Sequence, residues 1–158
     1  MRRIKLALGV MAAVLLVAGV SAQNKKDFTG TWTADTDKNG PPPAAGARGA
    51  GAPASDFTIT MDSKTMNIVT VRNGTESKVS YKLDGTVSKN VSARGGGAPD
   101  TETVAKWDGD KVVMVTKGAN GDTTIKYYMD GADLIRESTR PGQAGAEPVT
   151  SRTYFKKK

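Results

Sequence analysis

Arg152 and Tyr154 stand two residues apart in the run Val149-Thr150-Ser151-Arg152-Thr153-Tyr154-Phe155. In an extended strand that spacing puts both side chains on one face. Facing inward, Arg152 would hold an anionic head group through bidentate hydrogen bonds. Facing outward, it would be an ordinary solvated cation. Tyr81, Tyr127, Trp107 and Met129 offer apolar surface with a few polar handles. Ligand pockets use that mixture, and plain hydrophobic cores use the same residues. Met61, Met66 and Met114 read the same two ways, as an adaptable pocket wall or as core filling.

Much other chemistry is excluded. The chain has 158 residues with no cysteine and no histidine. It can build no disulfide framework, no cysteine–histidine zinc site, no Ser-His-Asp triad and no histidine general base. Asp108 and Asp110, like Asp35 and Asp37, lie close together. A calcium site needs about six to eight oxygens, and turn chemistry accounts for these acids better. Paired carboxylates can hydrolyse glycosides, but the acids here cluster in turns, and no nucleophile has a base beside it. The Gly-rich run 93–99 lacks the strand–helix context and the Lys-Ser/Thr pair of a phosphate loop. The expectation is a non-enzyme with no cofactor and no metal.

Residues 1–22 read as a secretory signal. Arg2, Arg3 and Lys5 are followed by an apolar run from Leu6 to Val20, and Val20-Ser21-Ala22 precedes a cut at Gln23. The apolar run is about 15 residues, shorter than the roughly 20 of a membrane span. The alternative is an uncleaved anchor. Cleavage would leave residues 23–158 as one domain, secreted or periplasmic, with no stable membrane span. It would also remove three basic residues and lower the formal charge from +7 to +4, three of which belong to Lys156, Lys157 and Lys158. That triplet reads as a solvated tail. No basic stripe of the kind nucleic acid requires is visible.

No apolar helical period runs through residues 23–158. Short Val/Ile/Thr/Tyr/Phe runs separated by turn residues predict ten strands at 28–34, 56–61, 65–72, 75–83, 87–92, 101–107, 111–117, 122–129, 133–139 and 148–156. Phe57/Ile59/Met61, Val79/Tyr81/Leu83 and Ile125/Tyr127/Met129 each put three apolar side chains on one face. Asn73-Gly74, Asp84-Gly85 and Asp130-Gly131 suit tight hairpins, because Gly, Asn and Asp tolerate positive φ. The fold class is therefore all-β, an antiparallel up-and-down meander of about eight to ten strands that closes into a barrel. Loops 40–55, 93–99 and 140–147 interrupt the rhythm. Arg48, Arg94 and Arg140 open related loop motifs at intervals of 46 residues, and the same offset aligns Tyr81 with Tyr127 and Asp84-Gly85 with Asp130-Gly131. An internal duplication of 48–93 onto 94–139 is the reading this supports. With four strands per repeat, the Arg-bearing loops should share one rim and the Asp-containing turns the other. The arginines form a cationic rim or merely solubilise their loops.

Asp27-Phe28-Thr29-Gly30-Thr31-Trp32 and the terminal Arg152-Thr153-Tyr154 together resemble the calycin superfamily of lipocalins and fatty-acid-binding proteins, and more closely small secreted bacterial lipocalin-like proteins. The resemblance implies a barrel around a small-molecule cavity. It assigns Gly30 and Trp32 structural roles, with Trp32 plugging the closed end and Arg152 across its face, or else an Arg152/Tyr154 pair that grips a ligand carboxylate. The helical lid of fatty-acid-binding proteins has no counterpart here, because Pro41-Pro42-Pro43 and the glycines after it cannot form one. The combined expectation is a non-catalytic binding protein for a small amphipathic or anionic, lipid-like molecule. Arg152 and Tyr154 would fix its polar end, and Tyr81, Tyr127, Trp107 and Met129 its apolar body. The alternative is a structural or interaction component of the bacterial envelope, with a filled barrel and functional loops. Oligomeric state is left open.

Overall fold

A computed structural model describes residues 25–40, 56–72, 74–91, 100–142 and 146–158. The signal segment 1–22, most of the three long loops, Arg48 and Arg94 lie outside the described residues. Ten strands follow in order: β1 Gly30–Ala34, β2 Phe57–Met61, β3 Thr65–Arg72, β4 Thr75–Lys82, β5 Asp84–Asn90, β6 Thr101–Asp108, β7 Lys111–Thr116, β8 Thr123–Asp130, β9 Asp133–Arg140 and β10 Val149–Lys157. Each overlaps its expected strand, with boundaries moved by three residues or fewer. One element was not expected, a single helical turn α1 at Thr36–Asn39, capped by the Asp35 carboxylate accepting from the Asp37 amide at 3.0 Å.

All pairings are antiparallel, and the sheet runs β4-β3-β2-β1-β10-β9-β8-β7-β6-β5. This is a meander in which the first strand pairs with the last. Connections therefore alternate between two ends. The strand ends on either side of segments 35–56, 91–100 and 141–148 lie at one, and the tight turns at 62–64, 83, 109–110 and 131–132 lie at the other. Adding 46 to the bounds of β3 and β4 brings them onto β7 and β8 to within about two residues, so the sequence repeat has the length of four strands.

Alternation sorts the side chains. Phe57, Ile59, Met66, Ile68, Val112, Met114, Tyr127, Leu134 and Phe155 face inward in one buried cluster with Phe28 and Trp32. Burying each of these large side chains contributes about 1.5–3 kcal/mol. Phe57 and Phe155 meet edge-to-face at 4.9 Å. Phe28 reaches from the start of β1 towards Trp107 on β6, with ring centroids 5.8 Å apart, and its carbonyl accepts from the Trp32 indole at 2.9 Å. These contacts close the tight-turn end.

The remaining edges, β4 and β5, are joined by side chains. Asn90 accepts from the Ser80 amide at 2.8 Å and donates to the Ser80 carbonyl at 3.0 Å, while the Ser88 hydroxyl accepts from the Lys82 amide at 2.9 Å. Asn90 thus does for Ser80 what a neighbouring peptide group would do. Asn39 of α1 repeats the device on β10, accepting from the Tyr154 amide at 2.8 Å and donating to its carbonyl at 2.7 Å. The Lys triplet is built into this closure and is not a free tail. Lys156 and Lys157 belong to β10, and Lys158 donates its amide to the Thr31 carbonyl and its ammonium to Asp56.

Asn90→Ala should destabilise the protein by about 1–2 kcal/mol, the scale of two part-buried hydrogen bonds lost at the Ser80 backbone. Urea denaturation will read this, with Lys78→Ala on the exposed face as the control. Equal midpoints for the two variants would show that the seam does not depend on Asn90.

Candidate functional site

The two-residue period of β9 and β10 decides which charges meet the interior. Leu134, Arg136 and Ser138 stand opposite Phe155, Thr153 and Ser151, and on the other side opposite Met129, Tyr127 and Ile125. Phe155, Leu134 and Tyr127 are core residues, so Arg136 shares their inward face. It lies mid-strand and half-buried. No Asp or Glu falls on the inward face of any described strand.

Two phenols share this interior. Burial pushes the Tyr127 hydroxyl above its ordinary range, and the charge of the nearby Arg136 guanidinium partly offsets the shift. Burial pushes Tyr81 up to about 12, with Tyr127 adding to the rise and Arg136 opposing it. Both phenols are therefore neutral donors at ordinary pH. Ser138 is 2 % exposed and its hydroxyl has no hydrogen-bond partner among the described residues. An inward cation, two neutral phenols and hydroxyls together suit an anion by charge and by hydrogen-bond donors.

Arg152 and Tyr154 are on the other face. Arg152 Nε donates to Glu137 at 2.8 Å, with 59 % of the Arg152 side chain exposed, and Lys126 Nζ lies 3.6 Å from the same carboxylate. Tyr154 flanks Ile135, which is 1 % exposed and stands between Tyr128 and Tyr154 in the register. The expected inward grip by Arg152 and Tyr154 is thus corrected, because Phe155 claims the inward face and the period of two sends both outward. Arg152 does not cover Trp32 either. The cation nearest that ring is Lys157, at 5.8 Å, opposite Trp32 in the β1–β10 register. Gly30, also in β1, has φ 150°, and a side chain there would run into Lys157.

The other expected residues divide. Tyr81 and Tyr127 come together with Arg136. Met129 is half-buried and packs against the core. Trp107 faces inward at the tight-turn end, beside a cleft of about 260 Å³ bounded by Lys25, Lys26, Asp27, Met61, Asp62 and Ser63. Its indole N–H has no partner among the described residues, and Lys25 Nζ lies 5.9 Å from its ring. Trp107 is therefore apart from the Arg136 group. The turn acids serve as turn ties. Asp62 accepts from the Lys64 and Thr65 amides and the Thr65 hydroxyl, and Asp84 from the Thr86 amide and hydroxyl.

Solved structures carry the same architecture. A mutant of the fluorescent protein UnaG superposes with a TM-score of 0.59 at 19 % identity, covering 83 % of this chain and 96 % of that one. A mutant of the REP1-NXSQ fatty acid transporter gives 0.59 at 16 % identity, covering 82 % and 97 %. That transporter itself gives 0.56 at 14 % identity, covering 82 % and 95 %. The likeness is one of fold, a ten-stranded antiparallel meander barrel. No protein-family model matches the sequence, and a comparison with curated proteins finds no match. Within this barrel, Arg136 is the inward cation that sequence reasoning missed. Its signal was present: with Tyr127 inward, a short turn at Asp130-Gly131 puts the even-numbered residues of β9 on the same face.

The outer cluster predicts an acid dependence. Its hydrogen bond to Arg152 holds the Glu137 carboxyl below its ordinary value of 4.5. A lowered folded pKa means that the stabilisation is complete above the unfolded value and is lost as pH falls through the folded one. Glu137→Gln should therefore remove part of the stability lost below about pH 4.5, read as urea midpoints against pH. Parallel acid limbs in wild type and variant would contradict this.

Proposed function

We propose that the protein is a non-catalytic carrier or receptor for a small amphipathic or anionic molecule bound inside the barrel, and that it works outside the cytoplasm after residues 1–22 are removed. The observation that carries the reading is Arg136, a half-buried cation on an inward face that has no described strand carboxylate to neutralise it. An unmatched cation in a low-dielectric interior attracts an anion far more strongly than one on the surface. Its neighbours Tyr81 and Tyr127 are neutral donors that add hydrogen bonds without adding charge. The fatty acid transporter among the structural neighbours supports a lipid-like ligand by analogy of fold. The absence of histidine and cysteine and the lack of a nucleophile beside a base support binding without turnover. The basic, apolar and small-residue regions of 1–22 support export.

The reading separates the two arginines. Titration of an anionic reporter, anilinonaphthalene sulfonate, should show Arg136→Gln binding at least about tenfold more weakly than wild type, the scale of a lost charged hydrogen bond. Arg152→Gln should bind within about threefold of wild type, since surface pairs contribute little. Loss at Arg152 with retention at Arg136 would overturn the assignment. For export, the mature protein recovered from a host envelope should begin at Gln23, and retention of residues 1–22 would contradict it.

A further inference from the structure

Trp107 stands apart from the Arg136 group and lines a cleft of its own at the tight-turn end, about 260 Å³ in volume. That is just below the ~300–1,000 Å³ usual for ligand pockets, so the space suits a molecule of one ring. The apolar part of its wall is the Trp107 indole and the Met61 thioether, both half-buried. Phe28 fixes the two together. It is fully buried, its ring lies 5.8 Å from that of Trp107, and its amide donates to the Met61 sulfur at 3.2 Å. An aromatic wall held in place before any ligand arrives lowers the ordering cost of binding.

The polar part of the wall holds two ammoniums and two carboxylates, and only the ammoniums are uncommitted. Asp27 accepts from the Thr29 amide at 2.8 Å. Asp62 accepts from the Lys64 and Thr65 amides and from the Thr65 hydroxyl. These bonds hold both carboxyls below their ordinary value. Lys25 and Lys26 form no ion pair among the described residues. The Lys25 ammonium stands over the Trp107 ring, 5.9 Å from its centre. The uncommitted charges of the cleft are therefore cations, and they lie beside an aromatic face. A flat ring gains offset stacking on an indole and contact with a thioether sulfur. A carboxylate on that ring gains charge-assisted hydrogen bonds from the ammoniums.

We infer that this cleft is a second ligand site, for a small aromatic carboxylate. The ring of the ligand lies against Trp107 and Met61, and its carboxylate meets Lys25 and Lys26. The site is separate from the Arg136 interior and does not depend on the reading given to it. Trp107 and Arg136 share one inward row, but Val112 and Tyr127, 0 % and 6 % exposed, stand between them in the register.

NMR titration of the isotope-labelled protein with benzoate, and separately with benzamide, tests this. The Trp107 indole N–H signal should move to saturation with benzoate. Benzamide has the same shape without the charge and should bind at least about threefold more weakly, the scale of an exposed ion pair. Lys25→Gln/Lys26→Gln should weaken benzoate by a similar factor and erase the preference over benzamide. Both lysines are exposed, so this variant leaves the core untouched. Arg136→Gln should bind benzoate as wild type does. Benzoate affinity lost in Arg136→Gln and kept in the lysine variant would move the binding to the interior, which overturns the second site and leaves the Arg136 reading in place. Equal binding of the two probes by wild type, or no saturating shift at Trp107, would also overturn it.

Discussion

A carboxamide side chain has the donor and acceptor of a peptide group, and this barrel uses that equivalence at two places where its backbone ladder ends. Asn90 pairs both backbone groups of Ser80 across the β4–β5 seam, and Asn39 pairs both backbone groups of Tyr154 beyond the end of β1. A ten-stranded meander whose edges stayed open would present rows of unpaired amides to other chains. Meeting them with side chains lets the strands stand apart at the seam and still be satisfied. Ser88 and Asn90, whose side chains make these bonds, are buried although polar. Closure of the sheet defines an inside and an outside, and every statement about the site depends on that division.

The division separates two arginines that are otherwise alike. Arg152 lies outside, with Glu137 and Lys126, in a strip where solvent screening and a neighbouring carboxylate neutralise it. Arg136 lies inside, one register step from Arg152 and on the opposite face, among phenols and hydroxyls. The same charge is screened in one place and far less so in the other, because the surrounding dielectric differs and no carboxylate of a described strand faces Arg136. The phenols sharpen the effect. Burial keeps Tyr81 and Tyr127 protonated, so they lend donors without competing for the cation.

Much of the architecture was legible because the β-period leaves a direct trace. Phe57/Ile59/Met61 and Ile125/Tyr127/Met129 alternate cleanly, and the glycines at 74, 85, 109 and 131 adopt positive φ at the turns. The site was legible only in part, for two physical reasons. In β10, Arg152 and Tyr154 have one parity and Phe155 the other, and burial of a large aromatic outweighs the pull of a polar pair. Choosing the polar pair reversed the strand. In β9, Leu134 and Ile135 are both buried, one inside and the other on the outer face between Tyr128 and Tyr154, so alternation is blurred at the residues that precede Arg136. The Asn devices left no trace, because a polar residue in a strand reads as solvent-facing until its partner strand is known. Within the Lys triplet, local charge suggested a tail where pairing with β1 and Asp56 built a strand end.

The central claim is that the inward charge of Arg136 receives the ligand. Its most direct test is NMR observation of the arginine Nε–H groups while hexanoate is added. The account predicts that the Arg136 signal shifts with saturation while the Arg152 signal, held by Glu137, stays in place. Saturating shifts at Arg152 with none at Arg136 would contradict it.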